Sequence, residues 1–317
     1  MIMQTPIRRL LIIQIIALAS ILLSLWKGST SIPLHQLLYN DYGQFHTVFL
    51  NIRLPRTLTA FTSGGLLALS GALIQLLLQN PLADPYVLGI SSGAAFFTLL
   101  MMLAGASGDM LLAGAWLGSL LTAALVLMLA RRHHWQIHTL LLTGIAIAGG
   151  FAAGISLILL ISPDSSLHSM LFWLTGDLND ARLSWSSLII LVAGMIVCWL
   201  LAPAFNILGR GEKEAQALGL AIKPYRLLLF LLSSLFAAAA VTEAGCIGFV
   251  GLIVPHFARR IVGYNHRLML PAAMLCGGSL VVFADTLARS LFAPLQIPAG
   301  IVITLIGIPV FIGLIQA

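Results

Sequence analysis

The chain has 317 residues, 60% of them hydrophobic and only 8% charged, with a net charge of +6. So few polar groups cannot clothe a soluble domain, and the composition places the chain in a bilayer. The basic excess is scattered over the connections, without the clustered stripe of a nucleic-acid binder, so nucleic acid is excluded as a partner.

Ten apolar runs follow in chain order, at 10–26, 57–78, 86–105, 110–130, 139–162, 185–204, 226–244, 246–263, 268–289 and 299–316. About 20 residues at a rise of about 1.5 Å cross the hydrocarbon core, and lipid offers no partner to an exposed backbone group. The predicted fold class is an all-α polytopic membrane protein of about ten transmembrane helices. A single transmembrane domain over 1–317, with short connections, leaves no room for a soluble catalytic module.

The first run follows Ile7-Arg8-Arg9 and closes at Trp26-Lys27 with no small-residue cleavage site, the pattern of a retained signal anchor. Lys and Arg placement then sets orientation. With the amino terminus inside, eleven basic residues (Arg8, Arg9, Arg131, Arg132, Arg210, Lys213, Lys223, Arg226, Arg259, Arg260, Arg267) fall on the inner side. Five (Lys27, Arg53, Arg56, Arg182, Arg289) fall outside. Both termini are expected in the cytoplasm.

Four segments hold polar, Gly or Pro residues that lipid disfavours. The first is Ile52-Arg53-Leu54-Pro55-Arg56-Thr57. Pro55 suits the first position of the second helix, which would set Arg53 and Arg56 at a positive helix end with no local acid. Two readings stand: an external anionic partner, or arginines reaching outer-leaflet phosphates. The second is Gln79-Asn80-Pro81-Leu82-Ala83-Asp84-Pro85, whose prolines with Asn and Asp dictate a rigid turn.

The third is Gly211-Glu212-Lys213-Glu214-Ala215-Gln216-Ala217-Leu218-Gly219, within an inner loop of about 205–225. Acids open a short helix, Gly219 caps it, and Ala215 and Leu218 are expected on one apolar face suited to a partner's groove. Lys223-Pro224 starts a new element. The fourth is Gly245 to Arg259, where Gly245, Gly248, Gly251 and Pro255 predict irregular backbone over 244–251 and a broken or short eighth span. Glu243, at the outer end of the seventh span, reads as a hydrated acid.

Small residues recur in the fifth span as Ala146, Gly150 and Gly154, with Gly144, Ala148 and Ala152 beside them. Such stripes serve packing, a pathway or a dimer seam. Asp285 and Arg289 stand at i, i+4, where each offsets part of the other's charge. Cys198, Cys246 and Cys276 have no paired spacing and read as core residues. His133, His134 and His138 read as a solvated turn, no metal-ligand pattern is present, and no GxxxxGK[ST] loop marks an ATPase.

Taken in order, IRLPRTLTA, LALSGALIQ, LLLQNPLADPYVLGISSGAA, GEKEAQALGL, GCIGFVGLIVPHFARRIVG, FADTLARS and IPAGIVITLIGIPVFIGL resemble the FecCD/BtuC family. These are permease subunits of type II ABC importers for ferric siderophores, haem and cobalamin. The matching stretches cover most of 50–315. The resemblance implies a homodimer or paired permease, two ATP-binding subunits that hold ATP and Mg, and a periplasmic binding protein; this chain itself would bind no cofactor and catalyse nothing. It implies that Arg53, Arg56 and Arg289 dock the binding protein. Gly211, Glu212, Ala215, Leu218 and Gly219 would couple to the ATPases, and Asn80 and Leu82 would form a cytoplasmic gate. A second gate would lie near Ile137 and His138, and the fifth and tenth spans would line the path. Gln79, Gln296 and Glu243 depart from the family pattern. A competing class, an ion- or proton-coupled secondary transporter, normally buries acids in mid-helix. Here Glu243 and Asp285 stand near span ends.

Overall fold

The computed structural model describes residues 4–28, 47–131, 137–179, 181, 184–291 and 296–316. His133, His134, Arg132 and Arg182 lie outside the described residues. Each of the ten apolar runs carries a helix. In chain order, α1 spans Gln4–Trp26, α2 Leu54–Leu77, α3 Ile90–Leu103, α4 Asp109–Arg131, α5 Ile137–Ile161, α6 Asp164–Leu174 and α7 Trp185–Leu208. There follow α8 Glu212–Ala217, α9 Ile222–Ala244, α10 Val250–Val262, α11 His266–Leu291 and α12 Ala299–Gln316. Seven of these helical runs are long and apolar enough to cross a bilayer on their own.

The core is built around α2. Its apolar window is 94% buried, against 11% for α5, which puts α2 at the centre and α5 on the perimeter. Glycine lets its neighbours approach: a Cβ at Gly64 would strike the Gly277 carbonyl of α11, and one at Gly71 would strike Gly251 of α10.

α3 and α10 have 14 and 13 residues. At about 1.5 Å per residue they reach only about 20 Å, short of the roughly 30 Å core. Each is preceded by chain that is not α-helical and packs inside the bundle. Before α3, Pro85–Leu88 forms a 3-10 turn, and the ring of Pro85 comes within 2.6 Å of a Cβ built on Gly251. Before α10, the irregular stretch expected over 244–251 occupies Gly245 to Phe249, with Gly245 at φ +67° and Phe249 at +68°. A Cβ on Gly245 would also meet the Trp173 carbonyl, so glycine is required there twice over.

Two expectations fail. The helix does not begin at Pro55: a π turn over Phe49–Arg53 runs straight into α2, and Leu54 N–H donates to Phe49 O. The extra residue in that turn is a helix's way of admitting a proline ring that would clash with the carbonyl four residues back. The connections are also not uniformly short, since α6 stands between the fifth and sixth spans. Met170 is its buried anchor against Leu99 and Ile158.

Candidate functional site

The structure gathers two polar clusters, one at each end of the bundle. The first joins the carboxyl end of α1, the start of α2 and the end of α11. Here Arg53, Arg56 and Arg289 are 3%, 7% and 5% exposed. No acid near in sequence offsets them, but a distant one pairs with Arg56. Asp285, 1% exposed, lies 2.7 Å from Arg56 Nη2 and receives the Arg56 Nε–H at 3.0 Å. The acid sits on α11, 229 residues away in sequence, so no local pattern could reveal it.

Arg56 Nη1 donates to Asn179 Oδ1 at 2.8 Å and to Gln296 Oε1 at 3.2 Å. Asp285 already takes the other edge of the fork, so a neutral Gln296 is enough beside it. Arg289 Nε lies 3.6 Å from Asp285 Oδ2, too far for a hydrogen bond, while its Nη2 donates to Ser24 O and Oγ at 2.7 and 2.6 Å. Ser24 Oγ also pairs with Thr57 Oγ1 at 2.9 Å. Arg53 Nη1 donates to Leu25 O and Trp26 O, the last carbonyls of α1. A cation at a helix carboxyl end is favoured by both hydrogen bonding and dipole. Two of the three arginines thus bolt α1 to the bundle. Asp285 thus stands between two of the three guanidinium groups, Arg56 and Arg289.

Glu243 lies nearby, partly buried, where α2, α7 and α9 meet. It accepts from Ser187 Oγ at 2.8 Å and borders a space of about 10 Å³ with Thr59, Thr62 and Ser184. That room fits about one water.

The opposite end carries α8. Gly211, at φ +108°, precedes it and Gly219, at +80°, follows it. Gly219 N–H donates to Gln216 O and Leu220 N–H to Ala215 O, which completes a Schellman cap. Glu212 pairs with Arg226 of α9. Ala215 and Leu218 do not share a face: Ala215 is fully buried, whereas Leu218 is 60% exposed. The cap turns the chain at Gly219, just after Leu218, whose side chain faces outward.

Beside α8, the turn after α2 places Asn80 and Leu82 at the surface, with Asn80 Oδ1 accepting from Leu82 N–H at 2.9 Å. Gln79 holds a left-handed φ of +50°, fixed by its side-chain amide, which donates to Leu76 O and Leu208 O. Asp84 caps the 3-10 turn through Tyr86 N–H at 2.8 Å, and burial raises its pKa to about 6 against the pull of that bond. Ile137 and His138 open α5, with His138 exposed. Within α5, Ala146 and Gly150 are exposed and Gly154 partly so, and nothing lies within 4 Å of a Cβ at Gly150. The neighbouring Gly144 instead packs on Val87 and Leu88. Gly154 packs on Phe96, so of the first stripe only Ala146 and Gly150 are left exposed by this chain.

Residues 15–317 match the FecCD transport family. This chain belongs to the FecCD transport family. As an ABC transporter permease it is the transmembrane, non-catalytic component of an importer. It is 41% identical to the hemin transport system permease protein HmuU of Yersinia pestis, over 92% of this chain and 86% of that one. It is 36% identical to the molybdate import system permease protein MolB of Haemophilus influenzae, over 90% of this chain and 84% of that one. A solved metal-chelate type ABC transporter, in an inward-facing conformation, superposes with a TM-score of 0.85 at 34% identity, covering 98% of this chain and 99% of the other. The printed cargoes of those two relatives differ, hemin for one and molybdate for the other.

Proposed function

We propose that this permease carries an iron chelate, a siderophore complex or haem, or else cobalamin, from periplasm to cytoplasm. It acts as a homodimer with two ATP-binding subunits and a periplasmic binding protein. ATP and Mg are held by the ATP-binding subunits, and this chain holds no cofactor of its own. Both termini and the 205–225 loop face the cytoplasm in this reading, which the distribution of lysine and arginine supports.

The observation that carries this reading is α8. A two-turn helix is too short to persist alone. Here it is held by a Schellman cap, a buried Ala215 and the Glu212–Arg226 pair, and it presents a large apolar side chain, Leu218, to solvent. A rigid surface helix with one exposed apolar anchor is built to enter a partner's groove. At the other end, the clustering of Arg53, Arg56 and Arg289 supports docking of an acidic binding-protein residue there. Exposed Ala146 and Gly150 support α5 as a seam or path wall between two copies, and exposed Asn80 and Leu82 support a gate.

Leu218→Asp tests the reading. The side chain is outside the fold, so the variant should insert and be as thermally stable as wild type. In a groove the unpaired carboxylate should cost several kcal/mol, roughly a hundredfold in ATPase affinity. Reconstituted vesicles that keep wild-type coupling between binding-protein addition and ATP hydrolysis would remove α8 from that role.

A further inference from the structure

At the α8 end, a cleft of about 780 Å³ opens between the carboxyl ends of α2, α7 and α10 and the start of α11. Arg210, Arg259 and Arg260 line it, with His256 and His266, and no described residue lining it is acidic. Helix carboxyl ends are partly negative, so the arginines could in principle be caps. The carbonyls are already served. Phe205 O and Ile207 O accept from the Gly209 and Arg210 amides, and Leu76 O and Leu208 O from the Gln79 side chain. Arg259 O accepts from Gly263 N–H, and Ile261 O from Arg9. Neither the Arg210 nor the Arg259 side chain makes a hydrogen bond or ion pair among the described residues.

Gln75 adds an independent observation. It lines the same cleft and is 3% exposed. Its Nε2 donates to Ala83 O, Gly251 O and Leu252 O, which fixes the amide, and its Oε1 has no partner. His256 Nε2 is likewise buried and unpartnered. A buried orphan acceptor is costly unless a ligand or water donates to it. The cleft therefore asks for a ligand with an anionic centre for the arginines and a hydroxyl donor for Gln75.

We propose that this cleft binds a phosphate-bearing anion, with the phosphoglycerol headgroup of an inner-leaflet lipid as its best-fitting form. Basic pockets between transmembrane helices on the cytoplasmic side take such headgroups. The phosphate spans Arg210 and Arg259, and a glycerol hydroxyl donates to Gln75 Oε1. The site also borders Asn80 and Pro81, so its occupancy bears on the turn after α2. Only the choice of leaflet rests on the proposed orientation.

The full chain is reconstituted in phosphatidylcholine nanodiscs, and phosphatidylglycerol of the same acyl chains is titrated in, with bound lipid counted by native mass spectrometry. Wild type should retain one phosphatidylglycerol per chain in preference to phosphatidylcholine. Arg210→Gln with Arg259→Gln should weaken retention roughly tenfold or more, each arginine near a phosphate contributing about fivefold. Arg259→Lys should keep most of it. A parallel titration with inorganic phosphate, read by thermal stabilisation, separates the sources: stabilisation lost in the double variant shows that the free anion also enters. Equal retention of both lipids, together with no effect of phosphate, would overturn the proposal. So would a double variant that binds as wild type, or one that loses only ATPase association, which would make the cleft a protein contact. Because lipid and phosphate binding are read without transport, failure here is separable from failure of the importer reading.

Discussion

At the residue scale, Asp285 determines how the arginine cluster behaves. It is the one described carboxylate paired with Arg56, and it also lies 3.6 Å from Arg289. Asp285→Ala leaves two buried guanidinium groups without their anion and should cost about 3–5 kcal/mol of stability. Arg56→Gln leaves Asp285 beside Arg289 and should cost about 1–3 kcal/mol. Thermal unfolding of both variants in one detergent checks the order. Arg56→Glu would set a second acid against Asp285, so it perturbs the fold before it perturbs docking. The ionic-strength dependence of binding-protein affinity is the cleaner probe of charge pairing at this end.

Asp84 gives a pH prediction. Its folded pKa, about 6, stands above the ordinary 3.8 because burial disfavours the charged form. A raised acid pKa means that the folded chain takes up the proton first as pH falls. Wild type should therefore gain stability between about pH 7 and pH 5 relative to Asp84→Asn, which keeps an oxygen acceptor for Tyr86 N–H but does not titrate. Parallel difference curves at the two pH values would contradict this.

At the element scale, glycine spacing separates what holds this chain together from what is left for another. Gly71 packs directly on Gly251, so Gly71→Ala should force α2 and α10 apart and cost more than about 3 kcal/mol. Gly150 meets nothing, so Gly150→Ala should leave the monomer's unfolding temperature unchanged or slightly raised. Loss of oligomer in that variant, seen by crosslinking in vesicles, is the outcome expected of a seam. Both glycines look alike in the sequence, which carries the spacing of small residues but not the identity of the facing helix. For the same reason α6 escaped notice: Leu167, Met170, Leu171 and Leu174 have helical spacing, but the run is too short to stand out among spans. The cap of α8 was legible from Gly219, whereas the split between Ala215 and Leu218 was not, because which side of so short a helix is covered depends on the elements it packs against.

On the scale of the whole molecule, the spans, the irregular stretch before α10 and the new element at Lys223-Pro224 were legible because bilayer thickness and backbone hydrogen bonding leave few alternatives. The Arg56–Asp285 pair was hidden, since it joins the start of α2 to the end of α11. The cleft beside α8 was hidden too: Arg210, Arg259 and Arg260 read in the sequence as orientation signals. Family membership fixes the transport class, and the arrangement of α8, the turn at Asn80 and the arginine cluster supports a path driven from one face and loaded from the other.

The most direct test is uptake by proteoliposomes that hold this permease with its ATP-binding subunits, given a binding protein loaded with haem, a ferric siderophore or cobalamin. Uptake of one of these cargoes should require enclosed ATP and the binding protein, and should persist when the proton and sodium gradients are collapsed. Uptake that continues without ATP and stops when those gradients are dissipated would contradict the account.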